Sequence, residues 1–438
     1  MGGAPISERQ ALLAQKTPML LCNTGYYGTL AAVRSLGRAG VPIATVDPSH
    51  VTPARYSRYA TRHLRCPPFE ETDAWVEWLL QLGASGPRQA IYATSDDVSF
   101  ALALHRDTLS SAFALYQPDL KTMMRILDKG QLLAQARAVG IDVPDSWLPK
   151  SRGDVERLAR DVDGTWLVKP RTQVSFKNHT KGTVSRPGAK ALLAEYDRFV
   201  GHGLFDGGEI ARRFPEATQP MIQRYYPEAM EAIYSLSGFR DLSGKHVALL
   251  AATKVLQRPR RLGVGLCFEG APVDAHLAAR AIRLCERIGY YGVFELEFIL
   301  HGDRALLIDF NGRFYNQLAF DVARGMDLAG LAYAGAVGDE AEAGRLMAGV
   351  PTDADREDVA FCNRFGLEVT IGAQRLFGAM SRQEATQWHK WRTVPGRRII
   401  DAAADEDDPR PFACDVAQQI LHYVLHPRAF VRQIGLGG

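Results

Sequence analysis

Residues 292–313 constrain this chain most. Gly292 to Leu300 and Ala305 to Phe310 are two apolar, strand-forming runs, and Gly302-Asp303 between them carries turn chemistry. The pattern predicts an antiparallel hairpin. Glu297 and Asp309 are twelve positions apart, so pairing brings their carboxylates to neighbouring places. Asn311, two residues after Asp309, falls on the same strand face, and Arg313 follows two further on. Carboxylates inside apolar runs are costly to bury without partners, which disfavours reading them as incidental surface charges. Two carboxylates and an amide oxygen are hard donors suited to Mg²⁺ held against phosphate. A neighbouring arginine suits the charge on a transferring phosphoryl group.

The first third of the chain alternates strand and helix patterns. Pro18 to Asn23, Val41 to Val46, Leu64 to Pro67 and Gln89 to Ala93 read as strands, with helical spacing at Thr29–Arg38, Asp73–Leu82 and Val98–His105. That rhythm predicts a parallel sheet covered by helices over residues 1–118. A helix is expected over Asp119 to Val139, ending at Gly140. Trp166–Val168, Met221–Gln223, Ala232–Ser237 and His246–Lys254 join the hairpin as strands of an α+β middle, residues 119–338, that is mainly antiparallel. A helix is expected over Ala275–Ile288. Residues 339–358 read as a linker or loosely packed helix. Beyond them lies an α+β C-terminal extension, residues 339–438 overall, with strands expected at Phe361–Phe377 and Thr393–Ile400 and a helix at Asp415–Leu425.

Other classes find no support. A formal net charge of +3 gives no bias toward nucleic acid or anionic membrane. No stretch approaches the ~20 apolar residues a membrane span needs. Met1 to Gln10 lacks a signal-peptide core, and six scattered cysteines with no CxxC pair fit reduced thiols, so a cytoplasmic location is expected. His50, His63 and His179 have no partners at metal or triad spacing, and neither a G-x-S-x-G elbow nor a Walker-type loop occurs. Asn23-Thr24-Gly25-Tyr26-Tyr27-Gly28 follows a strand and opens a helix, which suits an anion or simple turn chemistry; a dinucleotide fingerprint is absent.

The segments Gly292-Val293-Phe294-Glu295-Leu296-Glu297-Phe298 and Ile308-Asp309-Phe310-Asn311-Gly312-Arg313-Phe314 resemble the metal-binding segment of ATP-grasp enzymes. That family usually reads E-x-N-P-R at the second segment; here Asp309 replaces Glu and Gly312 replaces Pro, and no ligand is lost. The resemblance covers roughly residues 18–335. It implies an N-terminal α/β domain followed by a two-lobed ATP-grasp fold with antiparallel sheets, the smaller lobe at about 150–230. It also implies ATP contacts from Lys129, from the strand-end Lys169, from the hinge strand Gln223-Arg224-Tyr225-Tyr226, and from Glu231 at the ribose, with Glu228 competing for that role. Metal ligands would be Glu297, Asp309 and Asn311. Arg313, with Lys254 and Arg261, would line the phosphoryl side. One departure stands out: the family's glycine-rich loop is replaced by Arg171 to Gly182, which holds one glycine, at its far end.

What the resemblance implies is a Mg-ATP-dependent carboxylate–amine ligase working through an acyl phosphate, with Mn²⁺ an acceptable substitute for Mg²⁺. Its substrates would be a small carboxylate and an amine, amino-acid-like in character. A homodimer is left open. A different acceptor, or a non-catalytic nucleotide-binding role, are the competing readings.

Overall fold

The computed structural model describes residues 16–433 apart from 162–163, 178–180, 202, 204, 206–207, 232 and 352–357. The expectations placed on Met1–Gln10, His179, Ala232 and part of 339–358 therefore lie outside the described residues.

The N-terminal region builds a five-stranded parallel sheet from β1 (Met19–Cys22), β2 (Ile43–Asp47), β3 (Ala60–Arg65), β4 (Gln89–Ile91) and β5 (Phe113–Leu115), in the order β3-β2-β1-β4-β5. The third strand starts four residues earlier than its apolar end suggests, because its alternating residues are mostly exposed at this sheet edge. Helices Tyr27–Arg38 and Asp96–Leu104 begin at the ends of β1 and β4, so their first turns meet at the carboxyl edge of the sheet. Ligand sites in open parallel sheets form at such edges.

The predicted helix at Asp119–Val139 is two helices, Leu120–Leu127 and Lys129–Ala138. Asp128 interrupts them. Its backbone is extended, its carboxylate caps the Gly130 N–H at 2.9 Å, and Arg171 holds the same carboxylate at 2.9 and 2.5 Å. An aspartate that caps a helix competes with continuing the previous one. The break puts Lys129 at a helix start.

A small antiparallel sheet follows: β6 (Ser146–Trp147), β7 (Trp166–Pro170), β8 (Thr183–Val184) and β9 (Pro220–Arg224), ordered β6-β9-β7-β8. The large sheet contains β10 (Ile233–Arg240), β11 (Val247–Arg258), β12 (Val264–Ala271), β13 (Gly292–His301) and β14 (Arg304–Asn311), all antiparallel, in the order β14-β13-β10-β11-β12.

The C-terminal segment continues this sheet. β15 (Val359–Cys362) pairs with β12, and β16 (Arg398–Asp401) lies parallel to β15. Phe361–Phe377 is thus strand only to Cys362. Asn363 accepts the Gly366 N–H and caps a helix over Arg364–Leu376, whose Leu367, Thr370 and Ile371 are buried at helical spacing. The second expected strand is likewise shorter, Arg398–Asp401 in place of Thr393–Ile400. Glu340–Ala348 is a helix with no buried residue, which matches the loosely packed reading. No described helix is long and apolar enough to cross a membrane.

Two cores bracket the hairpin. Phe294, Leu296 and Phe298 on one face of β13 join the helices around Ile126, Leu132 and Leu284. Val293, Phe314 and Leu328 join Met19 and Leu21 of the parallel sheet, which locks the N-terminal region onto the large sheet.

Candidate active site

The hairpin pairs as its sequence predicts. Glu297 stands opposite Asp309 and Glu295 opposite Asn311, with a bulge between Glu297 and Phe298 and a turn containing Gly302 at φ +61°. Period-2 alternation sends the phenylalanines to the core and leaves Glu295 and Glu297 on the other face. That face forms the floor of a cavity of about 550 Å³. Its walls come from the small sheet, from β11 and β12, and from the N-terminal loops at Tyr26 and at Thr94–Asp97.

Lysines meet the two central carboxylates. Lys254 reaches across β10 and places Nζ 2.8 Å from Glu297 Oε1. Lys129, at its helix start, is ion-paired with Asp309 Oδ1. Burial raises the pKa of both carboxylates, but neighbouring ammonium groups outweigh it. Lys254 and Lys181 leave Glu297 below its ordinary value, and Lys129 and Lys181 hold Asp309 well below. Both are therefore anionic at neutral pH. Lys169, buried at the end of β7, donates to Gln223 Oε1 at 3.0 Å. Burial and the nearby Lys129 charge bring its pKa down to about 7.

Asn311 is fixed at both ends. Its Nδ2 donates to Glu295 Oε2 at 2.9 Å, and its Oδ1 accepts from Arg313 at 3.0 Å. Glu295 also accepts from Ser235 Oγ at 2.6 Å and from Gln317. Arg313 donates through Nε to Asp96 Oδ1 at 2.6 Å, so its charge is shared with the N-terminal region.

The expected ATP residues are distributed unevenly. Lys129, Lys169, Gln223, Arg224, Tyr225 and Tyr226 all line the cavity, and Tyr225 has a buried hydroxyl without a partner among the described residues. Arg261 lines it too, from an exposed position. Glu231 is exposed and is not among the lining residues. It follows the short 3-10 turn Pro227–Met230, which offers Ala229 to the cavity instead. Glu228 is held by His301 at 2.7 Å.

Sequence reasoning missed Glu295 and Gln317. Glu295 was legible: it sits two residues before Glu297 on the same strand face. Gln317 follows the hairpin in an irregular stretch and gave no signal.

Glu297, Asp309 and Asn311 fit a hard divalent cation. They supply oxygen donors, both carboxylates are anionic, and the ion pairs engage one oxygen of each. They are not a complete cage: among the described residues no group of three or more His, Cys, Asp or Glu could hold a metal ion. A cation here would need further oxygen ligands from elsewhere, as Mg²⁺ takes from substrate phosphates.

No protein-family model matches the sequence, and no curated protein matches it. Solved structures do. The biotin carboxylase domain of Hydrogenobacter thermophilus 2-oxoglutarate carboxylase, in complex with MgADP and bicarbonate, superposes with a TM-score of 0.57 at 15% identity, covering 74% of this chain and 70% of that one. The chain shares the ATP-grasp fold. The L-amino acid ligase of Bacillus licheniformis gives 0.53 at 13% identity over 74% of each chain. N5-carboxyaminoimidazole ribonucleotide synthetase of Thermus thermophilus gives 0.52 at 17%, covering 77% of this chain and 80% of that one. These likenesses concern the fold. They agree with the multidomain α/β and α+β architecture expected from the hairpin and its flanking segments.

Proposed function

We propose that this chain is a Mg-ATP-dependent ligase that joins a small carboxylate to an amine through an acyl phosphate, releasing ADP and phosphate. The observation that carries the reading is the juxtaposition, in one cavity, of the Glu297/Asp309/Asn311 oxygen set with Lys129, Lys169, Lys181 and Lys254. Oxygen donors for a divalent cation beside ammonium groups for phosphates is the pairing that phosphoryl transfer requires. The fold supports it, since structures of that fold hold MgADP.

Bound Mg²⁺ would be held by Glu297, Asp309 and Asn311 and would neutralise phosphate charge. The lysines grip the nucleotide phosphates, and Tyr225, whose buried hydroxyl has no partner among the described residues, meets the nucleoside side. A substrate carboxylate oxygen attacks the γ-phosphorus, the bond to the β-phosphate bridging oxygen breaks, and ADP leaves. Arg313, with Lys254 and Arg261, stabilises charge on the transferring group. The amine nitrogen then attacks the acyl carbonyl, phosphate departs with the carbon–oxygen bonding pair, and the nitrogen loses a proton. Excluding water protects the acyl phosphate. Gln173, Phe176 and Lys181, from the segment between β7 and β8, line the cavity and help exclude water from it.

Amino-acid-like substrates are the preferred class, supported by the shared fold of an L-amino acid ligase. A carboxylating reading is favoured by one observation, the bicarbonate held in the 2-oxoglutarate carboxylase domain. The test is a screen for ADP and phosphate release over amino acids, singly and in pairs, with and without bicarbonate. Turnover with an amino-acid pair supports the ligase; turnover that needs bicarbonate and no amine moves the assignment to carboxylation. Absence of nucleotide turnover in every combination, with MgATP bound, would leave a nucleotide-binding protein.

A further inference from the structure

The two central carboxylates are already neutralised. Lys254 and Glu297 lie 2.8 Å apart with side chains 2% and 10% exposed, and Lys129 pairs with Asp309 at 15% and 23%. The lysines arrive from separate elements, β11 and the start of helix Lys129–Ala138, and each takes one carboxylate. Within these two pairs, two acids and two ammonium groups sum to zero, while Lys169, Lys181 and Glu295 line the same cavity. No further acidic side chain completes a metal cage among the described residues.

This arrangement penalises either ligand alone. A divalent cation entering by itself would sit against two ammonium groups in a poorly solvated site, where like charges repel strongly. A polyphosphate entering by itself would meet Lys169 and Lys181, but would find Lys129 and Lys254 engaged and two carboxylates facing it. When both enter, phosphate oxygens can take the lysines while the cation takes the carboxylates. Every buried charge then keeps a partner, and breaking a buried pair without replacing the partner is what costs most.

We propose that Lys129 and Lys254 are internal counter-cations that make metal and nucleotide binding mutually dependent, excluding free metal until phosphates draw the lysines away. The proposal rests on the Mg-nucleotide reading above. It assigns the lysines a role beyond phosphate contact, and the two roles separate experimentally. If the lysines only touch phosphate, replacing one weakens nucleotide binding and leaves metal binding without nucleotide unchanged. If they guard the carboxylates, replacing one frees an anionic oxygen pair for the cation.

The experiment measures Mn²⁺ affinity by electron paramagnetic resonance, without nucleotide, for the wild type, Lys129→Met, Lys254→Met and the charge-retaining Lys254→Arg. Both methionine variants should bind free Mn²⁺ at least about tenfold more tightly than the wild type, and Lys254→Arg should stay weak. That factor lies in the range common for coupled sites. Unchanged or weaker Mn²⁺ binding in both methionine variants overturns the proposal. A wild-type thermal scan provides the measurement that does not depend on the variants folding. Mn²⁺ alone should leave Tm unmoved, while Mn²⁺ with ADP raises it; a comparable rise with Mn²⁺ alone overturns the proposal. A wild type that binds neither Mn-ADP nor Mg-ADP would sink the underlying reading of the site, and this proposal with it. Binding of Mn-ADP with unaltered free-metal affinity in the variants would sink the proposal only.

Discussion

Asp97 Oδ1 accepts the backbone N–H of Ser175 at 2.7 Å, joining the loop between β7 and β8 to the first turn of helix Asp96–Leu104. Ser175 reinforces the joint by donating to the Glu70 carbonyl at 3.3 Å, and holds a left-handed φ of +51°. Burial pushes the Asp97 carboxyl up to about 7, with Asp96 and Glu70 adding to the rise and the Ser175 N–H opposing it. The folded chain therefore binds this proton more tightly than the unfolded chain does. Its contribution to stability is full at low pH and falls as pH rises from about 4 to about 7. Asp97→Asn keeps an acceptor for Ser175 and removes the titration. The variant's Tm, relative to wild type, should improve steadily across that window in a series of thermal scans. Parallel curves would show that Asp97 does not titrate there.

A second prediction concerns the C-terminal segment. Asp408 is 1% exposed and accepts from Arg34 Nε at 3.0 Å, from Ser57 Oγ at 2.7 Å and from the Arg58 N–H at 2.8 Å. The acidic run Asp405-Glu406-Asp407-Asp408 is thus anchored on the N-terminal region. Removing one partner of a buried ion pair costs about 3–5 kcal/mol. Asp408→Ala should lower unfolding stability by about that amount in urea titrations, whereas Glu406→Ala, at an exposed position, should change it by less than about 0.5 kcal/mol. Equal effects would place Asp408 outside the stabilising contacts.

The site's floor was legible in the sequence because a hairpin has a strict side-chain period. Once Gly302-Asp303 is read as the turn, the positions of Glu297, Asp309 and Asn311 follow. The lysines were legible through family resemblance and their order along the chain, since contacts such as Lys129 to Asp309 span 180 residues. What escaped were tertiary decisions. Asp128 breaks a continuous helical pattern because Arg171, distant in sequence, stabilises it as a cap. Residues 359–362 extend the large sheet by pairing with β12, and 398–401 by pairing in turn with 359–362, which no local pattern encodes. Gln317 reaches Glu295 from an irregular stretch after the hairpin, where no periodicity exists to place it.

Lys169 yields a prediction about protons. With its pKa near 7 in the ligand-free chain, a substantial fraction is neutral at pH 7.5. An anionic phosphate beside it favours the ammonium form and raises that value. Nucleotide binding at pH 7.5 should therefore take up a proton, on the order of half an equivalent or more. Isothermal titration with ADP and Mg²⁺ in buffers of different ionisation enthalpy measures this directly. Lys169→Met should abolish the uptake. Proton release, or uptake that survives the substitution, would contradict the assignment.

The last prediction isolates Glu295. Its carboxylate receives Ser235 Oγ, Gln317 Nε2 and Asn311 Nδ2, and the last bond turns the Asn311 oxygen toward Arg313. Glu295→Gln keeps nearly the same volume. Its amide has one oxygen and one NH₂, however, so it cannot accept from both sides as the carboxylate does. If the oxygen stays with Ser235 and Gln317, the NH₂ faces the Asn311 NH₂, and Asn311 must turn over or lose its bond. Turning over would present nitrogen where a hard cation needs oxygen, and would set two donors against each other at Arg313. Outer partners that orient a ligand typically contribute about ten- to a hundredfold in metal affinity. Glu295→Gln should weaken Mn²⁺ binding in the presence of ADP by about that factor, with the circular dichroism spectrum unchanged. Glu297→Gln should in contrast lower turnover by at least about a hundredfold, because it removes a charge at the reacting phosphates. Wild-type metal affinity in Glu295→Gln would mean that Asn311 is oriented without Glu295.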